Sequence, residues 1–104
     1  MVRLEGGSGT GEGRVEIYHA GEWGTVMDDD WGMEDANVVC RQLGFVSAVD
    51  APCCARFGEG SGKIWMDNVA CSGSESRLDE CGFDGWGIAP SDSHAEDASV
   101  ICSH

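Results

Sequence analysis

The chain is 104 residues long, a length typical of a single domain. It carries 6 Lys and Arg against 19 Asp and Glu, which gives a formal net charge of −13 at pH 7. A negative field of this size opposes binding to nucleic acid and to anionic membranes, and it favours metal cations and basic patches on partners. No apolar run approaches the length of a membrane span, and no signal segment follows Met1. We therefore expect one domain over residues 1–104, part of a larger ectodomain, with Met1 as an added start residue.

The 6 cysteines of the chain indicate disulfide bonds and not a zinc site. They are Cys40, Cys53, Cys54, Cys71, Cys81 and Cys102. Zinc sites usually combine closely spaced thiolates with histidines. Here the only close pair is Cys53-Cys54, and the histidines lie far from it in sequence. Disulfides supplement the small core of a domain of this size, and they imply an oxidising, extracellular compartment.

The first half of the chain predicts a loop, a β-hairpin and a helix. Residues 5–13 are rich in glycine, and residues 14–18 alternate polar and apolar side chains with the period of a strand. Residues 23–27 predict a second strand after a turn, so the two strands are expected to pair. Residues 35–43 place apolar side chains at helical spacing, and Gly44 follows as a stop signal.

The second half predicts shorter elements separated by loops. We expect a loop over residues 45–62, a third strand over 63–69 and a short second helix over 74–81. Residues 82–93 are irregular, and residues 98–102 predict a closing strand. These elements make a small α+β domain held together by disulfides.

Catalytic chemistry finds no support in the sequence. A hydrolase needs a nucleophile with a base within reach, but no serine lies in a nucleophile-elbow motif, and His94 is the only well-placed histidine. Paired carboxylates can cleave glycosidic bonds, but such enzymes need a substrate cleft that a core this small rarely provides. We therefore predict that the domain is not an enzyme.

Several motifs follow one another along essentially the whole chain. They include Gly13-Arg14-Val15-Glu16-Ile17, Glu22-Trp23-Gly24-Thr25-Val26, Asp28-Asp29-Asp30-Trp31, Val38-Val39-Cys40-Arg41-Gln42-Leu43-Gly44-Phe45, Ile64-Trp65-Met66-Asp67-Asn68-Val69 and His94-Ala95-Glu96-Asp97-Ala98. Together, in this order and spacing, they resemble the scavenger receptor cysteine-rich (SRCR) family, in its group A type found in class A scavenger receptors. The resemblance implies a fold in which a curved, mostly antiparallel sheet cradles one main helix, with a short second helix beside it.

The same resemblance implies two disulfides and exposes two departures from the family pattern. It pairs Cys40 with Cys102 and Cys71 with Cys81. A third family bridge would join the positions that hold Met27 and Asp92 here, so this bridge is missing at both ends. Conversely, Cys53 and Cys54 stand where most relatives carry no cysteine. A vicinal bond, two free thiols, a mixed disulfide and an intermolecular bond all remain open for this pair.

Acidic residues in these motifs point to a metal site. In many SRCR domains the first two acids of the aspartate run and the glutamate after the histidine bind calcium, which by match assigns Asp28, Asp29 and Glu96. Asp67 and Asn68 are candidates for a second site nearby. Calcium suits such loops because it prefers six to eight hard oxygen ligands, about 2.3–2.6 Å away, in flexible geometry. The plain alternative is that these acids cap helices, bind loop amides or face solvent, and the missing bridge is expected to leave the loops unpinned.

The resemblance also implies a function in recognition. The leading hypothesis is an extracellular module whose calcium bridges to anionic ligand groups, including those of microbial ligands met in innate immunity, or shapes the surface that meets a protein partner. The alternative is a structural or protein–protein spacer domain without metal or ligand. A third hypothesis is a redox-responsive module that uses Cys53 and Cys54.

Overall fold

The computed structural model describes residues 1–89 and 93–103 of the chain. Within these residues it contains six strands, one α-helix and two short 3-10 turns. In chain order the elements are β1 (Val2–Glu5), β2 (Glu12–His19), β3 (Glu22–Val26), α1 (Met33–Gln42), β4 (Ala48–Asp50), β5 (Lys63–Met66), the 3-10 turns Leu78–Glu80 and His94–Glu96, and β6 (Ser99–Cys102). No helix in the described part of the chain is long and apolar enough to cross a membrane.

The strands form one mixed sheet that is mostly antiparallel. β2 pairs antiparallel with β1, β3 and β6, and β4 adds antiparallel to β6. The exception is β5, which runs parallel to β3. The predicted hairpin is confirmed, because Glu16 of β2 lies opposite Thr25 and His19 lies opposite Glu22. The small α+β class predicted from the sequence is confirmed with it.

The helix α1 follows from local signals in the sequence. Its first turn is fixed by Asp35, whose carboxylate accepts a hydrogen bond from the amide of Gly32 at 2.8 Å. After it ends, Gly44 takes a φ of +96°, a left-handed conformation that favours glycine. Its inner face is fully buried at Ala36, Val39 and Cys40, and it packs on β4 and β6. The predicted helix is therefore confirmed.

Two strand predictions need correction at their limits, and one loop prediction is partly wrong. The glycine-rich segment contributes to β2, which begins at Glu12, because Gly13 lets β1 approach closely: an ideal Cβ there would lie 2.8 Å from the Glu5 carbonyl oxygen. Part of the predicted loop 45–62 forms β4, an edge strand whose existence depends on β6 as its partner. The third strand ends at Met66, since Asn68 turns the chain with a φ of +51°.

The short second helix predicted over residues 74–81 is wrong. Only Leu78–Glu80 forms a single 3-10 turn. Side chains take the place of helical hydrogen bonds here: Glu75 accepts from the amides of Ser72 and Gly73, and Glu80 accepts from the amide of Ser76. Side-chain bonds of this kind compete with the regular backbone ladder of a helix.

Three disulfides are present in the structure. Cys40 is bonded to Cys102, which ties α1 to β6, and Cys71 is bonded to Cys81 across a short loop. These are the two pairs that the resemblance implies. The adjacent residues Cys53 and Cys54 are bonded to each other.

Candidate functional site

Two loops far apart in sequence meet at one end of the sheet. Met27, just after β3, forms an isolated antiparallel bridge with Asp97, just before β6. The amide of Asp28 then donates a hydrogen bond to the carbonyl oxygen of Glu96 at 2.8 Å. The amide of Trp31 donates back to the carbonyl oxygen of Asp28 at 3.0 Å and closes the first loop into a turn. Backbone bonds therefore fix the acidic loops against each other.

The carboxylates of Asp28, Asp29 and Glu96 converge at this junction. One oxygen from each lies within 4.8 Å of the others, and all three side chains reach solvent at least in part. Two oxygens that bind one Ca²⁺ at about 2.3–2.6 Å lie no more than roughly 5 Å apart. The spacing of the three carboxylates therefore fits a single calcium ion. Asp30, the third acid of the run, is exposed and stands outside this group.

A buried carboxylate, that of Asp97, holds the second of these loops, the one just before β6, in place. Asp97 is fully buried and accepts a hydrogen bond from the amide of Gly60 at 2.7 Å. Its Oδ2 also lies 3.0 Å from His94 Nδ1, while His94 Nε2 lies 3.0 Å from the carbonyl oxygen of Gly62. The 3-10 turn that carries Glu96 is thereby tied to the loop before β5.

The absence of the third family disulfide was expected to leave these two loops unattached to each other, and this expectation is wrong. Met27 is 2 % exposed, so its side chain is buried in the protein interior. Its backbone bridge to Asp97 and the bond from Asp28 to Glu96 join the two loops without a disulfide. Asp92, the other position of the lost bridge, lies outside the described residues.

A second acidic group lies beside the first and shares Asp29 with it. It surrounds an open pocket of about 320 Å³, lined by Asp29, Asp67, Asn68, Asp84, Ile88 and Ala89. Asp67 is 1 % exposed, and its Oδ2 has no hydrogen-bond partner among the described residues. A buried oxygen without a donor is costly, and a bound cation would satisfy it.

Burial shifts the pKa of Asp67. It raises the pKa of this carboxyl to about 6, and the nearby negative charges of Asp29 and Asp84 add to the rise. The bond from the Asn68 amide, 2.9 Å from Asp67 Oδ1, acts in the opposite direction and lowers the pKa. A raised pKa at a buried carboxyl is typical of functional positions.

Asn68 and Asp84 complete this pocket. Asn68 Nδ2 donates to Asp84 Oδ2 at 2.7 Å, and the amide of Asp84 donates to the Asp67 carbonyl oxygen at 3.2 Å. The sequence pattern indicates Asp67 and Asn68 but misses Asp84. No local signal marks Asp84, because it lies in an irregular segment and reaches the pocket only through the fold.

In the structure Cys53 and Cys54 are bonded to each other, and the pair lies at the acidic site. The amide of Cys54 donates to Asp28 Oδ2 at 2.7 Å. The segment around the two cysteines is also bonded to the start of β6. The amide of Ala55 donates to the Asp97 carbonyl oxygen, and the amide of Ser99 donates to the Pro52 carbonyl oxygen. Asp28 is thus held by Cys54 at its carboxylate and by Glu96 at its backbone amide.

The fold and the site together define a small disulfide-bonded domain with an exposed acidic surface. The model of the scavenger receptor cysteine-rich domain family matches residues 5–103. The chain therefore belongs to the SRCR family, a family of extracellular, non-enzymatic receptor modules that recognise proteins or other ligands.

Curated relatives of the chain are much longer than the chain itself. Lysyl oxidase homolog 4 of Bos taurus is 52% identical over 103 residues, which cover 98% of this chain and 14% of the relative. The macrophage scavenger receptor types I and II of Mus musculus is 49% identical over 102 residues, which cover 98% of this chain and 22% of the receptor. The chain thus spans less than a quarter of either relative's length.

Solved SRCR domains share the whole fold. The third SRCR domain of murine neurotrypsin is 46% identical, with a TM-score of 0.90 and coverage of 100% of this chain and 96% of that one. The dimeric form of the SRCR domain of mouse MARCO is 47% identical, with a TM-score of 0.83 and coverage of 92% of this chain and 90% of that one.

Proposed function

We propose that this SRCR domain is a calcium-dependent recognition module. Calcium would be held by Asp28, Asp29 and Glu96, whose carboxylate oxygens lie within 4.8 Å of one another. This convergence is the observation that carries the proposal. Carboxylates so close repel one another unless a cation neutralises them.

The charge of the site explains why calcium would decide which ligands bind. The chain carries a formal charge of −13, so it repels anionic ligands when no metal is bound. One Ca²⁺ on these three carboxylates would reduce the charge of the group to −1. Three monodentate carboxylates would also fill only about half of the six to eight calcium positions. The remaining positions are open to water or to an anionic group of a ligand.

The second acidic group supports a second cation beside the first. Asp67 presents a buried oxygen without a donor to a pocket that Asp29 also lines. Because Asp29 belongs to both groups, the two sites would be coupled: an ion in one would position the carboxylate needed by the other. The ligand classes we propose are protein surfaces and anionic extracellular or microbial polymers.

Calorimetric titration of calcium into the chelator-treated domain tests this function. We expect saturable binding that an Asp28→Ala, Asp29→Ala double variant loses. An Asp50→Ala, Asp79→Ala variant is the matched control, since it removes the same charge from two exposed acids outside both groups. We further expect the domain to bind a surface of sulfated polysaccharide with calcium and to release it on chelation. A titration without heat of binding would contradict the calcium function and favour the structural spacer domain. Polysaccharide binding that survives chelation would show that calcium does not link the domain to this ligand.

A further inference from the structure

The Cys53–Cys54 disulfide differs from the other two in its exposure. Both residues are exposed, whereas Cys40 and Cys102 are buried, and the Cys71–Cys81 bond joins a half-buried cysteine to a buried one. Thiol–disulfide exchange requires a thiolate to reach a disulfide sulfur directly. An external thiol therefore reaches this bond more readily than Cys71–Cys81, and far more readily than the buried Cys40–Cys102 bond.

The backbone turn that carries the two cysteines is held without the sulfur atoms. The amide of Arg56 donates to the Cys53 carbonyl oxygen at 3.2 Å, and the amide of Ala55 donates to the Asp97 carbonyl oxygen at 3.0 Å. The amide of Cys54 donates to Asp28 Oδ2. Because none of these bonds involves sulfur, we expect the turn to keep both cysteines beside Asp28 after the disulfide opens.

Cys53, Cys54 and Asp28 also lie close enough together to share one metal ion once the disulfide is reduced. The Sγ atoms of Cys53 and Cys54 and one carboxylate oxygen of Asp28 lie within 4.8 Å of one another. Zinc binds thiolate sulfur at about 2.3 Å and carboxylate oxygen at about 2.0–2.2 Å, so two of its ligands lie up to roughly 4.6 Å apart. After reduction the two sulfurs have to move apart from bonding distance by side-chain rotation before both can reach one ion together with Asp28.

We propose that Cys53–Cys54 is a reversible thiol-exchange site whose reduced form, together with Asp28, binds a soft divalent cation such as zinc. This inference goes beyond the calcium function and shares only Asp28 with it. Oxidised sulfur cannot act as a thiolate ligand, so the disulfide closes the site and reduction opens it. In the reduced domain, zinc would draw Asp28 away from the calcium group.

The redox step balances with two molecules of a small thiol. The first thiolate attacks one cysteine sulfur, which breaks the Cys53–Cys54 bond, forms a mixed disulfide and releases the other cysteine as a thiolate. The second thiol attacks the external sulfur of the mixed disulfide, which frees the second cysteine and leaves the small thiol as its own disulfide. Two electrons pass to the protein, and zinc then displaces one proton from each cysteine thiol.

Selective reduction followed by zinc titration tests the proposal. The domain is treated with a limiting amount of a small thiol, the thiol is removed without oxygen, and free cysteines are mapped by alkylation and mass spectrometry. We expect two free thiols, at Cys53 and Cys54. Zinc titrated against a chromogenic chelator should then bind once per reduced chain and not to the oxidised chain. Reduction of Cys40–Cys102 or Cys71–Cys81 at the same thiol concentration, or equal zinc binding by both forms, would overturn the proposal.

Variants separate the zinc site from the calcium site and from misfolding. A Cys53→Ser, Cys54→Ser variant should lose zinc binding, and wild-type protein alkylated at both thiols should lose it as well. Asp28→Asn should weaken zinc binding about tenfold or more, whereas Asp79→Asn should not change it. Calcium is titrated separately into the oxidised domain. Zinc binding with a flat calcium titration would contradict the proposed function alone, and calcium binding without zinc would contradict this inference alone.

Discussion

The backbone amide of Asp28 donates a hydrogen bond to the carbonyl oxygen of Glu96, 2.8 Å away. This bond joins two loops separated by most of the chain and brings a proposed calcium ligand from each to the same place. Because backbone atoms make this bond, it does not occupy either side-chain carboxylate, although Asp28 Oδ2 accepts a hydrogen bond from the Cys54 amide. The arrangement needs no disulfide at Met27, whose side chain is buried in the protein interior.

Replacing Glu96 should weaken calcium binding without unfolding the domain. Glu96→Gln keeps the size of an exposed side chain but removes one of three converging charges, so we expect the affinity for calcium to fall about tenfold or more. Calorimetry measures the change. Glu59→Gln is the control, because Glu59 is exposed and belongs to neither acidic group. Equal affinities in the two variants would remove Glu96 from the site.

The stability of the calcium-free domain should depend on pH through Asp67. Burial raises the pKa of this carboxyl from 3.8 to about 6, so between these values the folded state holds more of a proton than the unfolded state does. The contribution of Asp67 to the free energy of unfolding is therefore largest at about pH 4 and decreases until the pH passes about 6. Chemical unfolding across this range, with chelator present, measures the trend.

An Asp67→Asn variant isolates this effect from the other carboxylates. The amide does not titrate, so subtracting its curve from that of the native domain should leave a slope confined to the range from about pH 4 to about pH 6. Asp79→Asn, at an exposed position, should leave the curve unchanged. A difference curve without slope would show that the Asp67 carboxyl titrates normally in the folded domain.

Removing the Cys40–Cys102 bond should be the most damaging disulfide change. The bond closes a separation of 62 residues, so a Cys40→Ala, Cys102→Ala variant should lose about 2–5 kcal/mol in free energy of unfolding. Cys53→Ser, Cys54→Ser should change stability far less, because a bond between neighbours constrains almost no unfolded chain. Guanidinium unfolding compares the two. Equal losses would mean that the turn at Cys53 holds the fold as strongly as the core bond does.

His94 should support the acidic site through Asp97. His94→Ala removes a ring nitrogen 3.0 Å from a fully buried carboxylate, so we expect a loss of about 1–3 kcal/mol in free energy of unfolding. Calcium affinity should fall as well, since the turn that carries Glu96 loses its tie to Gly62. His94→Asn, which can donate to Asp97 from a similar position, should recover part of both. Unchanged unfolding and calcium curves for His94→Ala would contradict this role.

Local patterns predicted the hairpin and the main helix because their causes are local. Alternating side chains and a short turn specify the pairing of β2 with β3, and helical spacing followed by Gly44 specifies α1. The motif match supplied Asp28, Asp29 and Glu96 as a group, and the structure brings them together. The two disulfide pairs followed from the same resemblance.

The wrong or missing predictions concern features that depend on distant partners. The strand β4 forms because β6 offers it an edge, and the predicted second helix gives way to side chains that bind its amides. Asp84 joins the pocket of Asp67 from 17 positions further along the chain. Nothing in the residues next to Asp84 specifies that contact.

The sequence by itself determined the class of the domain, its hairpin and main helix, and the grouping of Asp28, Asp29 and Glu96. Local spacing and a motif along the chain are enough to specify these features. Only the tertiary structure decided how those acids are held. The amide of Cys54 meets Asp28 across 26 residues, and backbone pairing between Met27 and Asp97 joins the two loops without a disulfide. Such contacts depend on how the whole chain packs, because a hydrogen bond forms only where folding brings a donor and an acceptor to bonding distance.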